Sequence, residues 1–127
     1  MSLQWTVELQ ARMFTMVADG IVSRSDIETC LDAMASSGAM PYRKLFDGSR
    51  GDTSMTPDDL LQVAVRMREF HAQGPMGPLA VVVPMEKADL VARILGILAT
   101  ADRPMRIFRT ARKARRWLDS LGTAAST

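Results

Sequence analysis

The run Leu79–Val83 is apolar at every position. A strand of this kind has to be covered on both faces, as the inner strands of parallel α/β sheets are. Trp5, Val7 and Leu9 instead alternate with polar residues, a pattern that predicts a half-buried strand. We therefore expect a layered α/β domain in which Leu79–Val83 lies inside the sheet and not at its edge.

Further strands are predicted on either side of that run. They are Met13–Ala18, which an Asp19-Gly20 turn signal ends, Tyr42–Phe46 and Met105–Phe108. The first two strands are close enough in sequence to form an antiparallel hairpin, whereas the later ones need right-handed crossovers and parallel pairing. The predicted order is β-β-α-β-α-β-α-β-α, which is a mostly parallel mixed sheet of about five strands with about four helices.

The helices begin at recognisable capping signals. For the first helix, Ser25 with Glu28 forms one capping box and Ser23 with Asp26 forms an alternative one. Thr56 caps the second helix, which has a proline at its first position and two acidic residues in its first turn.

Each predicted helix carries an apolar face at helical spacing. The residues predicted to face the core are Ile27, Cys30, Leu31 and Met34 in the first helix, Leu60, Leu61, Ala64, Val65 and Met67 in the second, Leu90, Val91, Ile94, Leu95 and Leu98 in a third helix over Asp89–Ala101, and Ala114, Trp117, Leu118 and Leu121 in the last, which Thr110 caps. We expect Trp117 to anchor the last helix to the sheet.

The composition is that of one globular domain. The chain has 127 residues, of which 47% are hydrophobic and 24% charged. We assign residues 1–121 to a single domain and expect residues 122–127 to form a disordered tail. Cys30 is the only cysteine, which excludes an internal disulfide and suits a reducing compartment. There is no secretory leader pattern and no apolar run of about 20 residues, so we expect a cytoplasmic protein without integral membrane association.

A basic strip lies near the C-terminus. The net charge is only +2, yet seven basic residues and no acidic ones lie between Arg103 and Arg116. Such a strip could contact nucleic acid or an anionic membrane. It lacks aromatic interleaving and any recognised nucleic-acid motif, so we prefer to interpret it as a solvated helix face and do not expect DNA binding.

The residues with catalytic potential do not form a known catalytic or metal-binding pattern. His71 is the only histidine, and its predicted place near a helix C-terminus favours a role with the helix dipole. Cys30 lies on an apolar helix face, which favours a buried small side chain over a redox thiol. Gly48 and Gly51 lack the Gly-Lys-Ser/Thr ending of a phosphate-binding loop. We expect neither an enzyme nor a bound cofactor or metal.

The polar link between Phe46 and Pro57 is the predicted functional site. It follows the carboxyl end of a strand, where ligands usually bind in open α/β sheets, and parallel pairing would bring the end of the last strand to the same edge. The predicted site residues are Asp47, Ser49, Arg50, Thr53, Ser54, Thr56, Arg109 and Thr110. Their arginines, hydroxyls and helix N-termini would suit an anionic group. The alternative is that Asp47 only accepts hydrogen bonds in its own loop or pairs with one of the two arginines.

These features resemble the STAS-type fold and, more closely, the SpoIIAA-like family of small bacterial proteins. The matching motifs are Trp5 in the first strand, Gly20 before a capped helix, Leu45-Phe46-Asp47 before Thr56-Pro57-Asp58-Asp59-Leu60, the strand end Val81-Val82-Val83-Pro84, and the ending Phe108, Ala114 and Trp117-Leu118. The resemblance covers nearly the whole chain. It implies a sheet of four or five strands with helices mainly on one face, a regulatory or ligand-binding role rather than catalysis, and the homodimers that small STAS-like proteins can form.

One turn departs from the STAS pattern. STAS anti-sigma antagonists carry a phosphorylatable Ser or Thr in an Asp-Ser-Ser/Thr-Gly turn before the second helix. The corresponding turn here is Asp52-Thr53-Ser54-Met55, which lacks the glycine. We therefore do not expect regulation through a kinase and sigma-factor cascade.

Three functional interpretations follow. The first is a non-enzymatic STAS-like module that engages a partner protein or a small anionic ligand at the strand ends. The second is an apolar-ligand or lipid-binding protein, because SpoIIAA-like proteins are sometimes grouped with lipid-carrier domains of the SEC14 type. The third is a peripheral binder of anionic membrane or nucleic acid through the basic strip.

Overall fold

The computed structural model of the chain describes residues 2–53, 55–74, 76–89, 92 and 104–121. Its strands are β1 (Leu3–Glu8), β2 (Met13–Val22), β3 (Arg43–Thr53), β4 (Leu79–Val82) and β5 (Met105–Phe108). Its helices are α1 (Arg24–Ser36), α2 (Pro57–Gln73) and α3 (Ala111–Ser120), with a short 3-10 helix at Met85–Lys87. The helix predicted over Asp89–Ala101 falls mostly outside the described residues, and so does the predicted tail.

The strands form one five-stranded sheet in the order β1-β2-β3-β4-β5. β1 and β2 are antiparallel, whereas β2, β3, β4 and β5 are parallel to their neighbours. The predicted hairpin and the parallel pairing after it are confirmed. All four residues of β4 are buried, and this strand lies between β3 and β5, so its predicted interior position is also confirmed.

β2 and β3 are longer than predicted. The predicted turn at Asp19-Gly20 is wrong, because both residues lie inside β2, and β3 does not end at Phe46 but continues to Thr53. After an irregularity between Val17 and Asp19, the two strands continue side by side, so each supplies the backbone partners of the other and the polar side chains remain in strand structure.

Gly51 permits the close approach of these two strands. A Cβ atom at this position would lie 2.6 Å from the Cβ of Ala18, a distance that real Cβ atoms essentially never show. Its partner across the pair, Gly20, has a φ of +93°, which L side chains rarely adopt. Gly51 is therefore needed for strand packing and Gly20 for its backbone conformation.

The helix caps follow the predicted chemistry with one correction. The first capping box is the alternative one: the amide of Asp26 donates to Ser23 Oγ at 3.2 Å, and the amide of Ser23 donates to Asp26 Oδ2 at 3.0 Å. Ser25 instead lies inside α1. At α2 the predicted Thr56 cap is confirmed, and it exchanges equivalent bonds of 3.1 Å with Asp59.

The described helices cover both faces of the sheet. The side chains of each inner strand alternate between these faces, as the strand period of two requires. On the α1/α2 face the buried cluster includes Phe14, Met16, Leu79 and Val81 with Cys30, Leu31, Met34 and Phe70. On the α3 face it consists of Met13, Leu45, Ala80, Val82, Ala114 and Leu118.

Several residues predicted to face the core lie outside it. Leu61 and Val65 of α2 are 50% and 44% exposed, because the buried side of that helix is centred on Val63, Ala64 and Phe70. Leu121 follows α3 and is 40% exposed. Leu9 lies beyond the end of β1 and is 69% exposed.

Arg43 ties α3 to the rest of the domain although its side chain is almost fully buried. Its guanidinium donates to the carbonyl oxygen of Leu118 at 3.1 Å and to that of Ala11 at 2.7 Å, and it lies 3.6 Å from Asp119. These contacts link the β1–β2 turn to the C-terminal end of α3. Within the described ranges, we find no helix with the length and apolar character needed to cross a membrane.

Candidate functional site

A cavity of about 230 Å³ lies between the sheet and the helices α1 and α2. Its wall is almost entirely apolar, with side chains from β2 and β4 on one side and from α1 and α2 on the other. Phe14 and Met34 are typical of this wall, and both are at most 1% exposed. The lining residues of β3 that carry side chains are Lys44, Phe46 and Asp52.

The part of the cavity lining that contains the exposed Asp52 also includes Gly48, Gly51, Met55 and Lys87, and we call it the mouth. It lies where β3 and β4 run out, at the edge of the sheet that we call the carboxyl edge. Asp52 is the most exposed of the described lining residues. Its carboxylate accepts a hydrogen bond from the Lys87 ammonium. The side chain of Asp52 is 62% exposed and that of Lys87 is 32% exposed. One ion pair therefore stands at the polar end of an apolar cavity.

Lys44 is a second cation in the cavity wall, and its ammonium contacts backbone carbonyls. The residue is 2% exposed, and its ammonium donates to the carbonyl oxygens of Met40 and Tyr42, the latter at 2.8 Å. These carbonyls precede β3, so they lie at the opposite end of that strand from Asp52. A buried ammonium needs such acceptors because its charge has lost the solvation of water.

The predicted site residues on β3 form local contacts. Asp47 accepts hydrogen bonds from the backbone N–H and the hydroxyl of Ser49, at 3.1 and 2.7 Å. These are the local hydrogen bonds of the alternative interpretation, and contact of Asp47 with a ligand stays a prediction. Arg50 lies 3.5 Å from Asp19 in an exposed pair, so its carboxylate partner is neither Asp47 nor any residue of the predicted site.

The remaining predicted site residues within the described ranges lie at the ends of strands and helices. Thr53 is the last residue of β3, and Ser54 lies outside the described residues. Thr56 and Thr110 cap α2 and α3 with their hydroxyls; Thr110 accepts from the Lys113 amide at 3.2 Å. Arg109 is exposed and follows β5.

The carboxyl edge brings the two halves of the predicted site to one side of the sheet, as parallel pairing requires. Asp47 lies opposite Val82, and the Val83 amide donates to the carbonyl of Phe108 at 3.1 Å, directly before Arg109. β4 separates the two halves. Within the described ranges no hydrogen bond or ion pair joins Arg109 to the residues on β3.

Comparison with solved structures shows the fold. The chain matches an uncharacterised protein of the DUF3478 family from Shewanella loihica PV-4, which has a SpoIIAA-like fold, with a TM-score of 0.65 and 15% sequence identity over 92% of this chain and 94% of that one. This chain has a SpoIIAA-like fold. The sequence matches no known family model and no curated protein. The fold that the resemblance implied is thereby confirmed, although α1 and α2 cover one face and α3 the other.

In this SpoIIAA-like fold the sequence analysis predicted many apolar residues of the cavity wall as core residues, such as Cys30 and Met34, but it did not predict the charged ones. Asp52 and Lys87 both follow apolar strand segments at the carboxyl edge, which is a general signal for ligand contact. Lys44 was missed because it lies, next to Arg43, inside a segment predicted only as a short strand. The cavity itself depends on how α1 and α2 sit on the sheet, which no local pattern specifies.

Cys30 belongs to the cavity wall and behaves as an apolar residue there. It is 2% exposed, and burial raises the pKa of its thiol from 9.0 to about 12. The neutral thiol is therefore the form present at neutral pH, and it is a poor nucleophile. The prediction that Cys30 is a small buried side chain is confirmed.

Proposed function

We propose that this SpoIIAA-like protein binds a small apolar molecule in the cavity between its sheet and the helices α1 and α2, without catalysing a reaction. The observation that carries the proposal is the cavity: about 230 Å³ of space with an almost wholly apolar wall. An apolar wall offers water too few hydrogen-bond partners, so such a space is better filled by an apolar ligand.

The size of the cavity indicates the size of the ligand. An engineered cavity of about 150 Å³ with an apolar wall takes up benzene, and drug-sized ligands occupy sites of about 300–1,000 Å³. The space here lies between these limits. We therefore expect an aliphatic or aromatic ligand of medium size rather than a whole diacyl lipid.

The test is calorimetric titration with primary alcohols of increasing length, from 1-butanol to 1-octanol. Each added methylene that enters the cavity should tighten binding about three- to fourfold, because its burial is worth about 0.8 kcal/mol. The increase should stop when the chain fills the space. Binding that is absent, or that does not depend on chain length, would contradict the proposed function.

A second candidate function is recognition of a partner or small anion at the extended part of β2 and β3. The observation in its favour is an exposed set of charged and hydroxyl side chains on this extension. Asp19 forms an ion pair with Arg50, and Asp47 accepts a hydrogen bond from the Ser49 hydroxyl. Titration with inorganic phosphate should then shift the amide resonances of residues 47–53. Shifts confined to α3 would point to the basic strip instead. Homodimer formation and a cytoplasmic location stay predictions.

A further inference from the structure

The mouth of the cavity carries a charge that an uncharged ligand would not need. Lys87 lies in the 3-10 helix that follows β4, and its side chain is both part of the cavity lining and the partner of Asp52. The side chain of Lys87 is 32% exposed, and its ammonium donates to the Asp52 carboxylate at the end of the apolar wall. Such a cation favours a close anionic partner.

Asp52 shows which anion the mouth can hold. Its carboxylate accepts a hydrogen bond from Lys87 at the point where the apolar wall ends. Because Asp52 is 62% exposed, it can turn to water when another carboxylate takes its place. An exposed pair of this kind contributes little to stability, so exchange of one carboxylate for another costs little.

We propose that the ligand is an aliphatic monocarboxylate, whose chain fills the cavity and whose carboxylate replaces that of Asp52 on Lys87. This inference rests on the proposed function, because it names the head group of a ligand whose apolar part occupies the cavity. The positions of the two lysines indicate which end of the cavity the carboxylate of the ligand occupies. The ammonium of Lys44 is directed at backbone carbonyls before β3, whereas that of Lys87 is at the mouth and already binds a carboxylate.

The experiment compares octanoate with 1-octanol, which have the same chain length and differ in the head group. Both are titrated calorimetrically into the full chain at pH 7 and into three variants. Lys87→Met keeps the length of the side chain and removes its charge. Asp52→Asn leaves Lys87 without its internal carboxylate. Lys113→Met is the matched control, because Lys113 is an exposed lysine on α3, on the other face of the sheet.

We expect octanoate to bind the unaltered protein about threefold more tightly than 1-octanol, because its charge-assisted hydrogen bond to Lys87 is formed at the expense of the one from Asp52. Lys87→Met should remove this preference, so that octanoate and 1-octanol bind this variant with equal affinity. Asp52→Asn should tighten octanoate binding about threefold, because the ligand no longer competes with an internal carboxylate. Lys113→Met should change neither affinity.

The alcohol separates failure of this inference from failure of the proposed function. If 1-octanol binds and octanoate is not preferred, Lys87 does not recognise the head group and the inference is wrong, while the proposed function stands. If Lys87→Met weakens both ligands equally, the residue only supports the cavity and the inference is again wrong. If neither ligand binds, the proposed function and the inference fail together.

Discussion

Leu118→Ala should lower the free energy of unfolding by about 2–5 kcal/mol. Leu118 is 0% exposed and packs with Leu45, Ala80 and Val82 on the α3 face of the sheet. Its removal takes away apolar burial and leaves a space that a strand surface cannot close by moving, since the strands are held by their ladder bonds. Urea unfolding followed by far-UV circular dichroism measures the difference.

Leu121→Ala provides the matched control. The substitution is the same and the residue is only three positions further on, but Leu121 is 40% exposed. We expect a loss of less than about 1 kcal/mol for this variant. Equal losses for the two variants would mean that α3 frays as a unit and does not depend on the contact of Leu118 with the sheet.

Trp117 packs against the sheet as the sequence predicted, but it is only partly buried, whereas Leu118 is fully buried. The ring of Trp117 is partly buried beside Phe108, with 5.6 Å between the ring centroids, and the Arg106 guanidinium lies 5.8 Å from it. Spacing alone places Trp117 and Leu118 on the same apolar side of the helix. Only the position of the helix on the sheet shows that Leu118 points at the centre of the contact.

The strand order could be predicted because it depends on patterns that are read locally. An unbroken apolar run indicates a strand covered on both faces, and Leu79–Val82 is such a strand. Helix starts were predictable for the same reason, since a cap such as Thr56 acts through a neighbour three residues away. The end of β3 was not predictable, because the polar residues after Phe46 are kept in a strand by β2, a partner that is distant in sequence.

The sequence predicted a functional site at the carboxyl edge, and the cavity reaches that edge at Asp52 and Lys87, which were not among the predicted site residues. Asp47 and Arg50 were predicted as site residues because they are charged and follow an apolar strand segment. Asp47 accepts a hydrogen bond from Ser49, and Arg50 forms an ion pair with Asp19. Asp52 and Lys87 are separated by 35 positions and become a pair only through the parallel register of β3 and β4. A cavity is a property of the packed helices, so it cannot be read from any single segment.

Val63→Phe should abolish measurable binding of 1-octanol, or weaken it more than about tenfold, if the ligand occupies the cavity. Val63 lies on the buried side of α2 and contributes to the cavity wall. The larger side chain would occupy space that the alkyl chain needs. The cavity exceeds the added volume of the ring, so the variant should fold, and filling empty space restores contacts that the wall atoms lack.

Val65→Phe is the control for this variant. It makes the same change two residues further along α2, where Val65 is 44% exposed and is not part of the described cavity wall. We expect its affinity for 1-octanol to match that of the unaltered protein within about twofold, because a change outside the wall leaves the buried area of the ligand the same.

Unchanged binding in Val63→Phe would place the alcohol outside the cavity. Weaker binding in Val65→Phe alone would move the binding site to the outer face of α2, where Leu61 is also exposed. The pair of variants therefore decides on which side of one helix an apolar ligand binds.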